Sequence, residues 1–431
     1  MASLVHLVGA QFLRLAGNLI LTRLLFPEVF GLMAIINIAL MGIALLSDLG
    51  VGASIVQRKA KPDLRFLRTA WTLQVIRALI LWVVTALVAI PISNFYNEPR
   101  LLWMLPVVAL TQIVSGFEST AVHMCQRELR HKVTAALELS TAFVGTLSAV
   151  LIALVLPSVW ALIIGGMLSA VFRTTLTYFI PNQISHRFCI DRNACRELIH
   201  FGKWLLVASA FSFLASEGDR IVLGKVLTLS QLGVYTVAFL FYQAIGQLPR
   251  GVAQRTRFPI LSRLAGEDTE RQRSEFFRYH RIFLGASLIP ISIFLLTGPL
   301  IIDICYDDRY LAAGTLLQVL SIGTAGATLR ALAGPVVLSR GNSFARMVIT
   351  AVEAIVLFTC MLVGGKIWGL FGFTGGFVVA QYLSYVPGIY FLKRYGVWNP
   401  KVDLAYLVLT TILGVIGFTL WWERLETGFA L

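Results

Sequence analysis

Charge is scarce in this sequence: only 13% of its 431 residues are Asp, Glu, Lys or Arg, against about 25% in an ordinary soluble domain. So few charges cannot cover a water-facing surface, which excludes a large soluble globular protein. Cysteine is scarce too. Cys125, Cys189, Cys195, Cys305 and Cys360 form no CxxC pair, and Cys189 and Cys195, which share a loop, have no histidine or cysteine partner at zinc spacing. The thiols therefore read as free rather than as metal ligands. GxSxG, Walker A, HExxH and GxGxxG are missing, and with them any legible nucleophile, nucleotide, zinc-hydrolase or dinucleotide site. No catalytic residue, cofactor or metal is expected, and transport would run on a gradient or downhill.

What is present is apolar. Hydrophobic residues make up 57% of the chain, and mean hydropathy is +0.79. A bilayer core takes about 20 apolar residues per helix, and about thirteen such runs can be read. They fall near 4–25, 30–56, 69–92, 100–124, 134–156, 158–180, 203–225, 231–250, 281–302, 310–338, 344–364, 367–392 and 404–422. The fold class is all-α, a polytopic membrane protein. The N-terminal run continues into a long hydrophobic segment and reads as a first span, not as a cleavable signal.

The net charge of +14 would suggest nucleic acid in a soluble protein, but here the basic residues sit in short loops and no nucleic-acid partner is expected. Loops after even-numbered spans are rich in Lys and Arg, for example Arg58, Lys59, Lys61, Arg65 and Arg68, then Arg127, Arg130 and Lys132. Connections after odd-numbered spans carry single cations: Arg23, Arg100, Lys225, Arg309, Lys366 and Arg424. Lys- and Arg-rich loops stay in the cytoplasm, so the N-terminus is expected inside and the C-terminus outside. The longest polar stretch, 250–281, reads as a cytoplasmic link.

A repeat is visible. LTRLLFPEVFGLM at 21–33 and LGKVLTLSQLGVY at 223–235 match at Leu21/Leu223, Arg23/Lys225, Leu25/Leu227 and Gly31/Gly233. The first copy joins spans 1 and 2 and the second joins spans 7 and 8, so both halves face the same way. The expectation is a parallel pseudo-repeat of two six-helix lobes, 1–200 and 201–395, with an additional helix in 396–431. Such lobes form transporters whose site lies at the lobe interface. Gly372, Gly375 and Gly376 read as close helix packing.

Five arginines fall within spans: Arg14, Arg77, Arg173, Arg220 and Arg330. Each costs roughly 2.5–3.5 kcal/mol at mid-bilayer on insertion scales, so each should face a cavity, pair with an acid or snorkel to an interface. Arg14 lies about ten residues into its span, about 15 Å deep, with Asn18 one turn on. Glu217 and Arg220 are spaced to pair. Glu353 is near mid-span and needs a partner or a proton. Asp48, Glu118, Glu138 and Asp219 are the other acids within spans.

LTRLLFPEVFGLMAI at 21–35 and SDLGVGASIVQRK at 47–59 resemble the start of the polysaccharide transporter, or Wzx-type oligosaccharide flippase, family, within the superfamily shared with multidrug exporters and lipid II flippases. A weaker likeness continues at Asp219 and Arg220 and at RFPILSRL, 257–264. The resemblance implies two lobes around a central cavity that opens alternately to either side of a bacterial inner membrane. It implies a polyprenyl-diphosphate-linked oligosaccharide as substrate, membrane lipids as surroundings, and polysaccharide polymerase and export machinery as partners. Cationic cavity residues would then hold the substrate: Arg14, Asn18, Arg77, Arg330 and Arg220. Glu353 or Asp48 would couple an ion. The alternative is an ion-coupled multidrug exporter on the same scaffold. A glycosyltransferase or polymerase would need a large outer loop bearing catalytic residues, and the outer loops are short.

Overall fold

The structure, a computed structural model, describes residues 2–45, 51–58, 62–128, 130–180, 184–192, 194–196, 198, 213, 217–218, 220–243, 269–339 and 343–422. It divides into two compact units, Met1–Lys225 and Val226–Leu431. The named elements are helices, the form in which a chain satisfies its own backbone in lipid. The first unit holds α1 (Ala2–Leu24), α2 (Pro27–Leu45), α3 (Val51–Gln57), α4 (Leu64–Tyr96), α5 (Leu101–Gly116), α6 (Ala121–Arg127), α7 (His131–Val155) and α8 (Val159–Tyr178). The second holds α9 (Thr269–Cys305), α10 (Leu311–Arg330), α11 (Ala333–Ser339), α12 (Ser343–Leu383), α13 (Val386–Arg394) and α14 (Pro400–Leu420). Among the described residues eight helices are long and apolar enough to cross a membrane, or nine with one bent pair counted. The expected span 203–225 lies largely outside the described residues and 231–250 is described as far as 243; helix is seen at 220–226 and 229–243.

Three expected spans are not continuous. The run 100–124 bends by 65° between α5 and α6. The run 310–338 breaks between Arg330 and Ala333. The run 367–392 breaks between Leu383 and Val386. The runs 344–364 and 367–392 are separate as expected, because α12 is folded back within its length: Trp368 and Gly369 leave helical geometry, and Gly369 turns the chain at φ 56°, a backbone state that glycine adopts readily.

The two units share two local features. Each contains a hairpin closed by small residues. In α7–α8 a Cβ on Gly165 would stand 2.7 Å from that of Ala149. In α12 a Cβ on Gly376 would stand 2.2 Å from the carbonyl oxygen of Cys360, and one on Gly372 would stand 2.0 Å from that of Gly364. The sequence separation is the same in the Ala149/Gly165 and Cys360/Gly376 pairs. Gly372 and Gly376 thus do the close packing expected of them, while Gly375 meets nothing within 4 Å. Each unit also has a loop carboxylate bonded to the arginine two residues on, Glu98 with Arg100 before α5 and Asp307 with Arg309 before α10.

α10 is buried along most of its length. Its Ser321, Thr324 and Thr328 hydroxyls donate to carbonyls four residues back, so their polarity is satisfied within the helix. Pro299 of α9 has no N–H for the carbonyl of Leu295, and Gln318 of α10 donates to that oxygen at 2.8 Å. α14 seats on the same spot: Gln318 also donates to the Gly417 carbonyl at 3.2 Å. A Cβ on Gly417 would lie 2.4 Å from the Leu295 oxygen.

Candidate functional site

A break in a membrane helix leaves carbonyl and N–H groups that lipid cannot satisfy. The first unit has such a break between α5 and α6, beside α4, and α4 supplies a group that repairs it. Gln74 donates to the carbonyls of Ser115, Gly116 and Glu118 at 3.3, 3.2 and 3.4 Å. One turn along α4 from that group, Arg77 Nη2 donates at 2.7 Å to the carbonyl of Ala44 of α2.

The α5–α6 break is closed from other sides as well. Trp71 and Tyr178 both donate to the Phe117 carbonyl at 3.4 and 2.7 Å. Thr174 donates to Val114 O at 3.0 Å, and the Ser119 N–H donates to Thr177 Oγ1 at 3.0 Å. Arg173 bonds Glu118 at 2.7 Å. At the end of α3, Arg127 donates to the Ile55 carbonyl at 2.8 Å.

Between these repaired ends lies a cavity of about 310 Å³. Gln74 and Arg77 of α4, Gln112 and Ser115 of α5 and His123 of α6 give it a polar lining. Gly52 of α3 completes one wall, and a Cβ there would press to 2.7 Å from the His123 ring. A guanidinium carries five donors in a flat fork. It keeps its charge in any environment and suits phosphate or carboxylate. The cavity can therefore accept an anionic or hydroxyl-rich group inside a bundle of membrane helices.

The other expected site residues fall elsewhere. Asn18 is half-buried on α1, its carbonyl accepting from Thr22 at 2.9 Å. Arg14 is on α1, but its side chain lies outside the described residues, as does Asp48. Arg220 pairs with Glu217 at 2.7 Å, as their spacing predicts. Arg330 and Glu353, expected in different roles, meet each other at 2.6 Å in the second unit. Gln74, Gln112 and His123 were not expected in the site. Counting charges passes over neutral amides, and only the one-turn spacing of Gln74 from Arg77 could have drawn attention to it.

Broken apolar helices around a polar, cationic cavity define a membrane transporter, and the comparisons narrow that class. Residues 20–314 match the family described as "Polysaccharide biosynthesis protein", and the chain belongs to that family. It is 22% identical to an uncharacterised membrane protein in the cps region of Klebsiella pneumoniae, over 89% of this chain and 79% of that one. It is equally 22% identical to the lipopolysaccharide biosynthesis protein WzxC of Escherichia coli strain K12, over 92% and 83%. Among solved structures, the lipid II flippase MurJ in an inward closed conformation superposes with a TM-score of 0.71 at 13% identity, covering 99% of this chain and 96% of that one. An inward-facing multidrug transporter of the MATE family follows with a TM-score of 0.68 at 14% identity, over 91% and 98%. The family is thus one of polysaccharide biosynthesis, and the fold is the multi-pass helical fold of membrane transporters.

Proposed function

We propose that the cargo is a polyprenyl-diphosphate-linked oligosaccharide repeat unit, turned across the inner membrane for exopolysaccharide, O-antigen or capsule assembly. The observation that carries this reading is Arg77 in a polar cavity among membrane helices of a polysaccharide-family protein. Arg77 would hold diphosphate or an acidic sugar, and Gln112, Ser115 and His123 would meet sugar hydroxyls. Arg14 and Asn18 would extend the cationic surface along α1. Arg220 and Arg330 are bonded to Glu217 and Glu353; they would reach substrate, and Glu353 would take up an ion, only when those pairs open. Asp48 is the other candidate for ion coupling. Lobes 1–200 and 201–395 would rock about a central cavity, with 396–431 outside the repeat. The N-terminus would be cytoplasmic, and polymerase and export machinery would receive the product.

Proteoliposomes carrying a fluorescent polyprenyl-diphosphate oligosaccharide test this. Native protein should flip the label, Arg77→Ala should slow flipping at least about tenfold while remaining folded, and Arg77→Lys should retain part of the rate. Arg14→Ala tests the extension along α1. Equal flipping by native protein and Arg77→Ala would remove Arg77 from the site. Efflux of cationic dyes without flipping would move the cargo to the multidrug class.

A further inference from the structure

The chain that follows α8 holds apolar side chains out in the open. Phe188 leans on the Trp71 ring, 5.1 Å away between centroids, and is still 69% exposed; Ile190 is 68% exposed. Both lie in the segment 184–192, which is strapped along the first turns of α4. Arg68 Nε donates to the Ser185 carbonyl at 3.0 Å. The Cys189 N–H donates to Thr72 Oγ1 at 3.0 Å, and the Asp191 N–H donates to Thr69 Oγ1 at 3.1 Å. His186 Nε2 lies 3.1 Å from Ser119 Oγ. These bonds fix the strap at 185, 186, 189 and 191. Between them Arg187, Phe188, Ile190 and Arg192 stay exposed.

The length of α4 sets the level of the strap. The helix has 33 residues, about 50 Å at 1.5 Å per residue, and the hydrocarbon of a bilayer is about 30 Å thick. The surplus falls at its start, because Arg65 and Arg68 stand there while 78–93 hold no charge. The turns that bind the strap therefore lie among lipid headgroups. At that level aromatic and aliphatic side chains enter the acyl boundary, and guanidinium groups meet phosphate. The charge of this face is suited to anions. Arg65, Arg130, Lys132, Arg187, Arg192 and Arg196 are exposed. Of the acids described beside them, Asp191 accepts from the Ala194 N–H at 2.8 Å, Asp63 caps α4, and Glu128 is exposed.

We propose that the segment 184–192 is a membrane-surface anchor that binds the headgroups of anionic glycerophospholipids. Phe188 and Ile190 enter the acyl boundary, and Arg187 and Arg192 bind lipid phosphate. The inference does not rest on the identity of the cargo; it requires only that α4 crosses the membrane.

Hydrogen exchange of the full chain in nanodiscs, without cargo, tests it on peptides covering 184–192. Native protein should exchange there at least about fivefold more slowly in nanodiscs rich in phosphatidylglycerol than in phosphatidylcholine alone, the worth of one arginine near an anionic surface. Salt should shrink the difference. Arg187→Gln combined with Arg192→Gln should abolish it at unchanged monodisperse fraction. Phe188→Ser combined with Ile190→Ser should speed exchange in both lipids. Lys132→Gln, which removes an exposed charge in the first turn of α7, should keep the difference. Equal exchange of native protein in the two lipids would overturn the proposal, as would a difference that survives in the double arginine variant. An equal slowing of the α8 amides would mean general stiffening and would overturn it too. Protection found in native membrane vesicles but in neither nanodisc would give the patch to a protein partner instead.

Discussion

α5 is interrupted at residues 117–120 and α10 at 331–332, and the two interruptions are repaired differently. At the first, the free carbonyls are met from outside the helix, by Gln74, Trp71, Thr174 and Tyr178. At the second, the N–H groups of Ala331 and Leu332 bond back to Ala327 and Leu329 at 3.0 and 3.1 Å, and Arg330 at the break is neutralised by Glu353. A break closed by neighbouring side chains gathers polar groups at one depth, and these line a cavity. A break closed by its own backbone does not call for them. The first unit's cavity is in this sense a by-product of how its backbone is satisfied.

The hairpins test how far the likeness of the units extends, with the largest effects expected. Gly364→Val or Gly376→Val would drive a side chain into backbone and should cost about 3 kcal/mol or more, mostly as lost folded protein. Gly165→Val, whose obstacle is Ala149, should behave alike but cost about 1–3 kcal/mol. Gly375→Val is the control, because nothing stands within 4 Å. Melting temperature and the monodisperse fraction after extraction read all four. Equal damage from Gly375→Val would sink the packing account.

The two breaks should then separate. Glu353→Gln leaves the partly buried Arg330 facing a neutral group, and Arg330 Nε is already without a partner among the described residues. A loss of about 2–3 kcal/mol is expected. Glu118→Gln likewise leaves Arg173 facing a neutral group, but the carbonyl network of its break stays in place, and the loss should be smaller, about 1–2 kcal/mol. Thermal unfolding in one detergent compares them, and a larger loss for Glu118→Gln would reverse the contrast drawn between the breaks.

Much of the fold can be read from sequence because apolar run length is itself the physical requirement for crossing a bilayer. The breaks are harder to read: Ala331–Leu332 continue the apolar composition of their run, and Glu118, Ser119 and Thr120 interrupt theirs too briefly to change its mean hydropathy. Arg77 was legible as a charge in an apolar run, and Glu217–Arg220 as neighbours on one helix face. Arg330–Glu353 joins two different helices, so no local pattern announces it.

Gln74→Ala sharpens the comparison at the cavity itself. Its amide serves three carbonyls of one break, so a loss of about 1–1.5 kcal/mol is expected, with flipping reduced less than by Arg77→Ala. If flipping falls as far as with Arg77→Ala at equal folded fraction, the amide is part of the substrate site as well as of the break.

The smallest effects should come from the loops ahead of the two broken spans. Arg100 donates to Glu98 through its backbone N–H at 3.3 Å and its Nε at 2.6 Å. Arg309 does the same to Asp307 at 3.2 and 2.9 Å. The side-chain bond from Arg100 holds the Glu98 carboxyl below its usual range. A carboxylate lowered in this way contributes stability that is present above its unfolded value and is lost as pH falls through the folded one. At pH 7 Glu98→Gln should therefore lower stability, but by less than about 1 kcal/mol because the pair faces water. The gap from native protein should close as acid protonates Glu98. Asp307→Asn should match it in size at pH 7. Thermal unfolding of both variants reads this, and a clear excess in either loop would mean that the likeness of the two units stops at the helices and does not include the turns that lead into them.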